Sequence, residues 1–326
     1  MPAIAPVKWN PPPPTPFEGP FAVNDRLSRV ELWRTPGEGP EDVAFDSVGN
    51  LYTGLADGRV LRFEPGGGDP QVLFSTGGRP LGVEVDADDR LIICDADKGL
   101  LRWSGGAPEV VVDSYEGEGF VFTNNAAIAS DGTIYFSVTS RRYDLANYKL
   151  DLMEHSGTGR LFAHRPDGST EQLHDGLQFA NGVALSADES YLVFAETGLY
   201  RMSKLWLKGE RRGEVEVLID NLPGFPDNLT HHEGVFWVGI PTPRDKIVDL
   251  LAKRPWLAKV AARLPDSMQP APARYAAVFG IDGQGNVRHN LQDPTGQYAV
   301  VTSALMHDGY LYLSSLHDSA VARLEI

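Results

Sequence analysis

The sequence predicts an all-β fold, a six-bladed β-propeller of four-stranded antiparallel blades with short helical inserts. Three observations predict it. A unit recurs six times: a strand, a turn with Asp, Gly or both, a second apolar strand, and further strands, at an irregular spacing of roughly 40–75 residues that suits propeller blades. A lone alternating strand at 28–34 precedes the first unit, while the last unit ends one strand short, at 320–326. Pairing the two closes the ring and leaves no exposed sheet edge. Finally, 326 residues, of which 42% are hydrophobic and 22% charged, supply a large core that needs no staples.

Taken in order, residues 1–26 read as a proline-rich arm, with Pro11 to Pro14 in a row, extended on the surface or disordered. Residues 27–326 read as one propeller domain. Unit one runs through 39–46, a turn at 48–50, then 51–54 and 59–64. Unit two has strands at 78–85, 91–94 and 100–103. Unit three starts at 123–128, turns at Asp131-Gly132, and continues through 133–138, 159–162 and 170–173. Unit four starts at 179–185. Unit five starts at Asp227-Asn228 and continues at 235–240. Unit six starts at 301–304 and turns at Asp308-Gly309. Two inserts interrupt the repeat, 141–157 and 244–264. In the second, Ile247, Leu250, Leu251, Leu257, Val260 and Leu264 fall at helical spacing, and Pro255 divides them into two short helices. The apolar stripe is expected to pack on a blade, and either insert can overhang a pocket.

Composition excludes several function classes. A net charge of −15 argues against nucleic acid and against anionic membrane surfaces. The one cysteine, Cys94, lies in an apolar run and reads as a buried small hydrophobe. No Cys/His spacing fits zinc, no G-x-S-x-G elbow appears, and Gly157-Thr158-Gly159 lacks the lysine of a phosphate loop. No basic start followed by an apolar core marks a signal peptide, and no apolar run is long enough for a membrane span. A cytoplasmic location is therefore expected. His231, His232 and His307 read as solvated residues near turns, and Glu196 as a structural hydrogen-bonding group.

Aligning the units on their first turn singles out one position. It holds Glu41, Asn124, Asn181, and Asp227 or Asn228, with Leu81 in unit two and Val301 or Thr302 in unit six. In a propeller the first strand of each blade lines the central channel, so these side chains converge near the axis. They are oxygen donors without His or Cys, a set suited to calcium or magnesium rather than zinc or copper. The alternative is a buried amide network. One residue further on, Asp42, Asn125 and the carbonyl of Val83 form a second set, for a deeper calcium or for ordinary turn hydrogen bonds.

Several motifs carry a resemblance. The runs Phe179-Ala180-Asn181-Gly182-Val183, Ala195-Glu196-Thr197 and Pro223-Gly224-Phe225-Pro226-Asp227-Asn228 resemble the strictosidine synthase-like branch of the six-bladed calcium propellers. So do Gly78-Arg79-Pro80-Leu81-Gly82, 95–100 and Arg254-Pro255-Trp256. The gluconolactonase/regucalcin family and the paraoxonases are more distant relatives, and the likeness spans roughly 27–326. It implies Ca2+ held by Glu41, Asn124, Asn181, Asp227 and Asn228, with Asp227 also the proposed general base. Two departures matter. Thr302 stands where strictosidine synthases carry a catalytic glutamate, which disfavours their condensation chemistry. Leu81 and about Ala96 stand where paraoxonases carry a histidine pair. The leading expectation is a calcium-dependent hydrolase of lactones or aryl esters, with a small-molecule substrate and no nucleic-acid partner. A non-catalytic, calcium-stabilised binding propeller is the alternative.

Overall fold

Blades packed face to face bury their middle strands on both sides, so those strands lose the alternation of a half-exposed sheet. Leu91–Asp95 is buried at every position, whereas the outer strands Gln71–Ser75 and Glu109–Val112 have no buried residue. The protein is described here by a computed structural model covering residues 4–265 and 268–326. It has six four-stranded antiparallel sheets and one separate hairpin. The innermost strands are Ala44–Phe45, Pro80–Val85, Thr123–Ile128, Ala180–Leu185, Leu229–His232 and Val301–His307. The lone N-terminal strand, Glu31–Arg34, completes the last blade as expected, with Glu31 opposite Arg323 and Arg34 opposite Ala320.

The turn signals have a common cause. Asp46 accepts hydrogen bonds at Oδ1 from the N–H groups of Val48 and Asn50, at 3.1 and 2.8 Å. Asp86 does the same for Asp88 and Arg90, and Asp282 for Gln284 and Asn286. A carboxylate that satisfies two turn N–H groups fixes each hairpin locally. Cys94 is fully buried, and Glu196 accepts from the Gln178 N–H and from Arg201, both as expected.

Three expectations need correction. Residues 26–29 form a 3₁₀ turn, so the closing strand starts only at Glu31. The first blade's inner strand shrinks to Ala44–Phe45, because Pro40 has no N–H and the Val43 N–H is diverted to Asp42 Oδ1 at 2.9 Å. The stripe of the second insert does not pack on a blade. Residues 244–264 do form two helices, α2 (Lys246–Lys253), capped by Asp245, and α3 (Pro255–Ala261). The first insert adds α1 (Tyr148–Glu154). Leu251, Ala258 and Ala262 pack against Tyr143, Leu150 and Met153 of the first insert and against Ile4 of the arm. The other half of the stripe is left outside.

From Ile4 onward the arm is held against the rest of the molecule. The Val7 N–H donates to the Glu154 carbonyl (2.8 Å) and the Trp9 N–H to that of Ala252 (3.0 Å), tying both inserts together. The Trp9 ring stacks on His155 with centroids 4.6 Å apart. Arg244 reaches the Pro12 carbonyl (3.0 Å) and Asp249 (2.8 Å) over the Tyr200 ring. Among the described residues no helix is long and apolar enough to cross a membrane.

Candidate metal centre

The inner strands approach closely enough to bond across blades, and glycine makes that possible. A Cβ on Gly182 would lie 2.4 Å from the Asp227 carbonyl oxygen, the same carbonyl to which the Gly182 N–H donates at 3.2 Å. This contact sets Asn181 of one blade beside Asp227 of the next. The Asn228 N–H in turn donates to the Thr302 carbonyl (3.0 Å). Asp227 and Asn228 are therefore held by neighbouring strands, not by a self-contained Asx turn.

Glu41, Asn124, Asn181 and Asp227 line one cavity, and Asn228 reaches Glu41 directly, its Nδ2 donating to the Glu41 carbonyl at 3.4 Å. Glu41, Asn124 and Asn181 are each 3% exposed and Asn228 is fully buried, while Asp227 is half-buried. The amides are oriented by threonine hydroxyls. Asn124 Nδ2 donates to Thr139 Oγ1 at 3.0 Å, and Asn181 Nδ2 to Thr197 Oγ1 at 3.1 Å. Each hydroxyl then donates to a main-chain carbonyl, of Ala180 and Pro226, at 2.7 Å. The donor ends are thus satisfied and the acceptor ends are not. Glu41 Oε2 and the Oδ1 atoms of Asn124, Asn181 and Asn228 are buried with no hydrogen-bond partner.

Buried acceptors without donors cost free energy unless something else meets them. The carboxylates sharpen the point. Burial, then the neighbouring charges of Asp227 and Asp42, push the Glu41 carboxyl well above the usual range. Burial pushes Asp227 up to about 7, opposed by the Asn181 amide and reinforced by Asp42. A cation relieves both the orphaned oxygens and the charge crowding. The residues present fit a hard divalent ion: two carboxylates and three amide oxygens, in a molecule whose described residues gather no metal-ready trio of His, Cys, Asp or Glu.

The second set behaves differently. Asp42 accepts from Val43, from the Val83 N–H (3.2 Å) and from Asn125 Nδ2 (3.1 Å), and Asn125 Oδ1 accepts from the Val183 N–H (2.8 Å). These side chains are saturated and stitch blades one to four. Thr302 is equally committed, its hydroxyl donating to the Glu41 carbonyl at 2.6 Å, as does that of Ser314.

The cavity above the centre has a volume of about 150 Å³. Its walls are apolar: Leu81, Phe122, Phe179, Phe225, Val300 and Leu316. Both inserts contribute to it, α1 through Tyr148, Lys149, Leu152 and Met153, and the start of α2 through Asp245 and Val248. Phe179 and Val300 each precede an inner strand with left-handed backbone, at φ 62° and 55°. Such a conformation is strained for a bulky residue and is a feature of functional sites. Sequence reasoning missed Arg79, a buried cation whose charge acts on Glu41, and the orienting hydroxyls of Thr139 and Thr197. A signal existed for the hydroxyls: each threonine stands directly after the second strand of its blade, Ile134–Val138 and Tyr191–Glu196. His231 and His307 lie elsewhere, lining a cavity among the opposite ends of the inner strands, where His307 stacks on Phe45.

Comparison with known proteins agrees with this architecture. A strictosidine synthase family profile matches residues 124–210, and a strictosidine synthase-like N-terminal profile matches 19–63. The human adipocyte plasma membrane-associated protein is 32% identical over 333 residues, covering 93% of this chain and 79% of that protein. Strictosidine synthase-like protein 13 of Arabidopsis thaliana is 36% identical over 296 residues, covering 79% and 73%. The chain belongs to the strictosidine synthase-like family. Among solved structures, a gluconolactonase from Xanthomonas campestris superposes with a TM-score of 0.68 at 18% identity, covering 92% of this chain and 90% of that one. A calcium-binding regucalcin from Agrobacterium tumefaciens gives 0.63 at 15% identity, covering 90% and 94%. At these identities the structural likeness establishes the propeller fold.

Proposed function

We propose that the protein is a calcium-dependent hydrolase of lactones or aryl esters, acting at the floor of the apolar cavity. The observation that carries the reading is the set of buried oxygens without donors beside two crowded carboxylates. Glu41, Asn124, Asn181, Asp227 and Asn228 would hold the ion, which supplies Lewis-acid stabilisation of the charge that develops on a carbonyl oxygen. The walls then bind the apolar part of the substrate and exclude water, and the threonine hydroxyls keep the amide oxygens turned away from competing donors. Asp227 is the one carboxylate of the set left half-buried within the cavity. In this reading it would orient a water and take its proton, with a basicity that the bound ion lowers from the cation-free pKa of about 7. Names of structural relatives, a gluconolactonase among them, are consistent with hydrolysis of small molecules.

A second reading, a binding propeller that keeps its ion for stability, draws on the absence of any histidine or cysteine among the described residues that line the cavity. Condensation of the strictosidine synthase type is disfavoured, because Thr302 is no base and its hydroxyl is already spent on Glu41. The deciding experiment measures hydrolysis of a panel of lactones and aryl esters with and without a strong calcium chelator. Chelator-sensitive turnover restored by calcium supports the hydrolase. Absence of turnover, with a chelator-induced fall in melting temperature, supports the binding propeller.

A further inference from the structure

Helices α2 and α3 bury one side and leave another bare. Leu251, Ala252, Ala258 and Ala262 are covered. Ile247, Leu250, Trp256 and Val260 are 56%, 39%, 64% and 54% exposed, and Met268 just beyond them is 66% exposed. Elsewhere among the described residues, the exposed large apolar side chains are single valines and Ile326. Isolated exposed residues of that kind are ordinary, but a cluster containing Trp, Ile, Leu and Met is not.

Charge departs from the rest of the molecule at the same place. The chain carries −15, yet residues 244–268 hold six Lys and Arg against three Asp. Asp249 is buried and paired with Arg244, and Asp245 is engaged in capping α2. Lys246, Lys253, Arg254, Lys259 and Arg263 are left exposed around the apolar face. Short amphipathic helices with a tryptophan on the apolar side and cations at its margin are suited to the headgroup layer of a bilayer. Apolar chains enter the acyl boundary, indole sits at the interface, and Lys and Arg meet anionic lipid.

We propose that the α2–α3 face docks the protein on an anionic phospholipid surface. Whole-chain charge argues against such a surface, but the field at contact is set mainly by charges within about one Debye length, roughly 8 Å, and the α2–α3 segment itself is cationic. Charge complementarity also selects among occupants: a second copy of this chain packed on the same face would set its five exposed cations against five more. The face adjoins the cavity, since α2 turns Val248 into the pocket and Ile247 and Leu250 to the outside. Docking does not depend on the hydrolase reading.

The test is co-sedimentation of the full chain with vesicles of phosphatidylcholine, with and without phosphatidylserine, at low and high salt. The protein is expected to bind the phosphatidylserine vesicles and to be released by salt. Trp256→Asp with Val260→Asp is expected to weaken that binding about tenfold or more. Lys253→Glu with Lys259→Glu is expected to do the same, by loss and reversal of charge near the lipid. Val217→Asp, an exposed valine on a blade, serves as the control without effect. Unchanged melting temperatures establish that the variants fold. No binding to either vesicle at low salt overturns the proposal, as does binding that Trp256→Asp leaves intact. It is also overturned if sedimentation velocity shows a dimer that Trp256→Asp dissolves, because the face is then an interface between copies.

Discussion

Two layers of the axial channel, one residue apart, use the same chemistry to opposite ends. In the upper layer Glu41, Asn124, Asn181 and Asn228 present buried oxygens that no donor reaches. In the lower layer Asp42 and Asn125 have the same side-chain types, and their bonds close on the Val43, Val83 and Val183 N–H groups and on one another. Glu41-Asp42 precede their blade's inner strand and Asn124-Asn125 sit at a register break between Thr123 and Ala126, so adjacent positions meet different neighbours. The lower layer meets main-chain donors of the next blade. In the upper layer the Asn124 and Asn181 amides meet threonine hydroxyls and the Asn228 amide meets the Glu41 carbonyl, and none of these supplies a donor to the oxygens. A saturated network rigidifies its surroundings, whereas buried oxygens without donors cost free energy until something meets them.

The comparison is sharpest where substitutions in the two layers should act oppositely. Asp227→Asn is expected to lower turnover about 10³-fold, as loss of a base and ligand would. In chelator the same variant, like Glu41→Gln, should melt no lower than the parent, since each removes a crowded carboxylate. A clear loss of cation-free stability in either would break the distinction between the layers. Asp42→Ala should destabilise by about 3 kcal/mol, with calcium or without, because it strands three buried donors. Urea titrations in calcium and in chelator measure this.

Protonation gives an intermediate effect. Asp227 has a native pKa of about 7, raised above the unfolded 3.8, so its proton is bound more tightly by the native state. Its contribution to stability is full below about pH 4 and is lost as pH rises to 7. Cation-free protein should therefore lose melting temperature over that window. Calcium affinity should climb across it and level off above pH 7, because the ion competes with the proton. A calcium-induced melting shift independent of pH from 5 to 7.5 would exclude Asp227 as a ligand. Thr197→Val, which removes the hydroxyl that orients Asn181 and its bond to the Pro226 carbonyl, should weaken calcium about tenfold and cost about 1 kcal/mol of cation-free stability.

The smallest effect concerns the arm. Burial holds His155 down at about 4, so the neutral ring under Trp9 is favoured. Its folded-state pKa lies below the unfolded 6.5, so the stability it contributes is present above pH 6.5 and fades as pH falls toward 4. Limited proteolysis of the arm should quicken over that range, and His155→Phe should remove the dependence.

How much could be read in the sequence follows from the range of the interactions. Blade starts, hairpin turns and the closing strand are local events: an Asp satisfying two N–H groups, an apolar run, an unpaired strand. They were legible residue by residue, and aligning the turns brought Glu41, Asn124, Asn181 and Asp227 to one cavity. The division of α2 from α3 at Pro255 was legible for the same reason. Three things were not. The shortened inner strand of blade one depends on where the Val43 N–H goes. The arm's course depends on carbonyls of Glu154 and Ala252, far along the chain. Above all, the sequence left Asp42 and Asn125 open, as a deeper ion site or as ordinary turn hydrogen bonds. Type and spacing determined that oxygen donors would meet at the axis, but only the packing of one blade on the next decided which of them found a hydrogen and which did not.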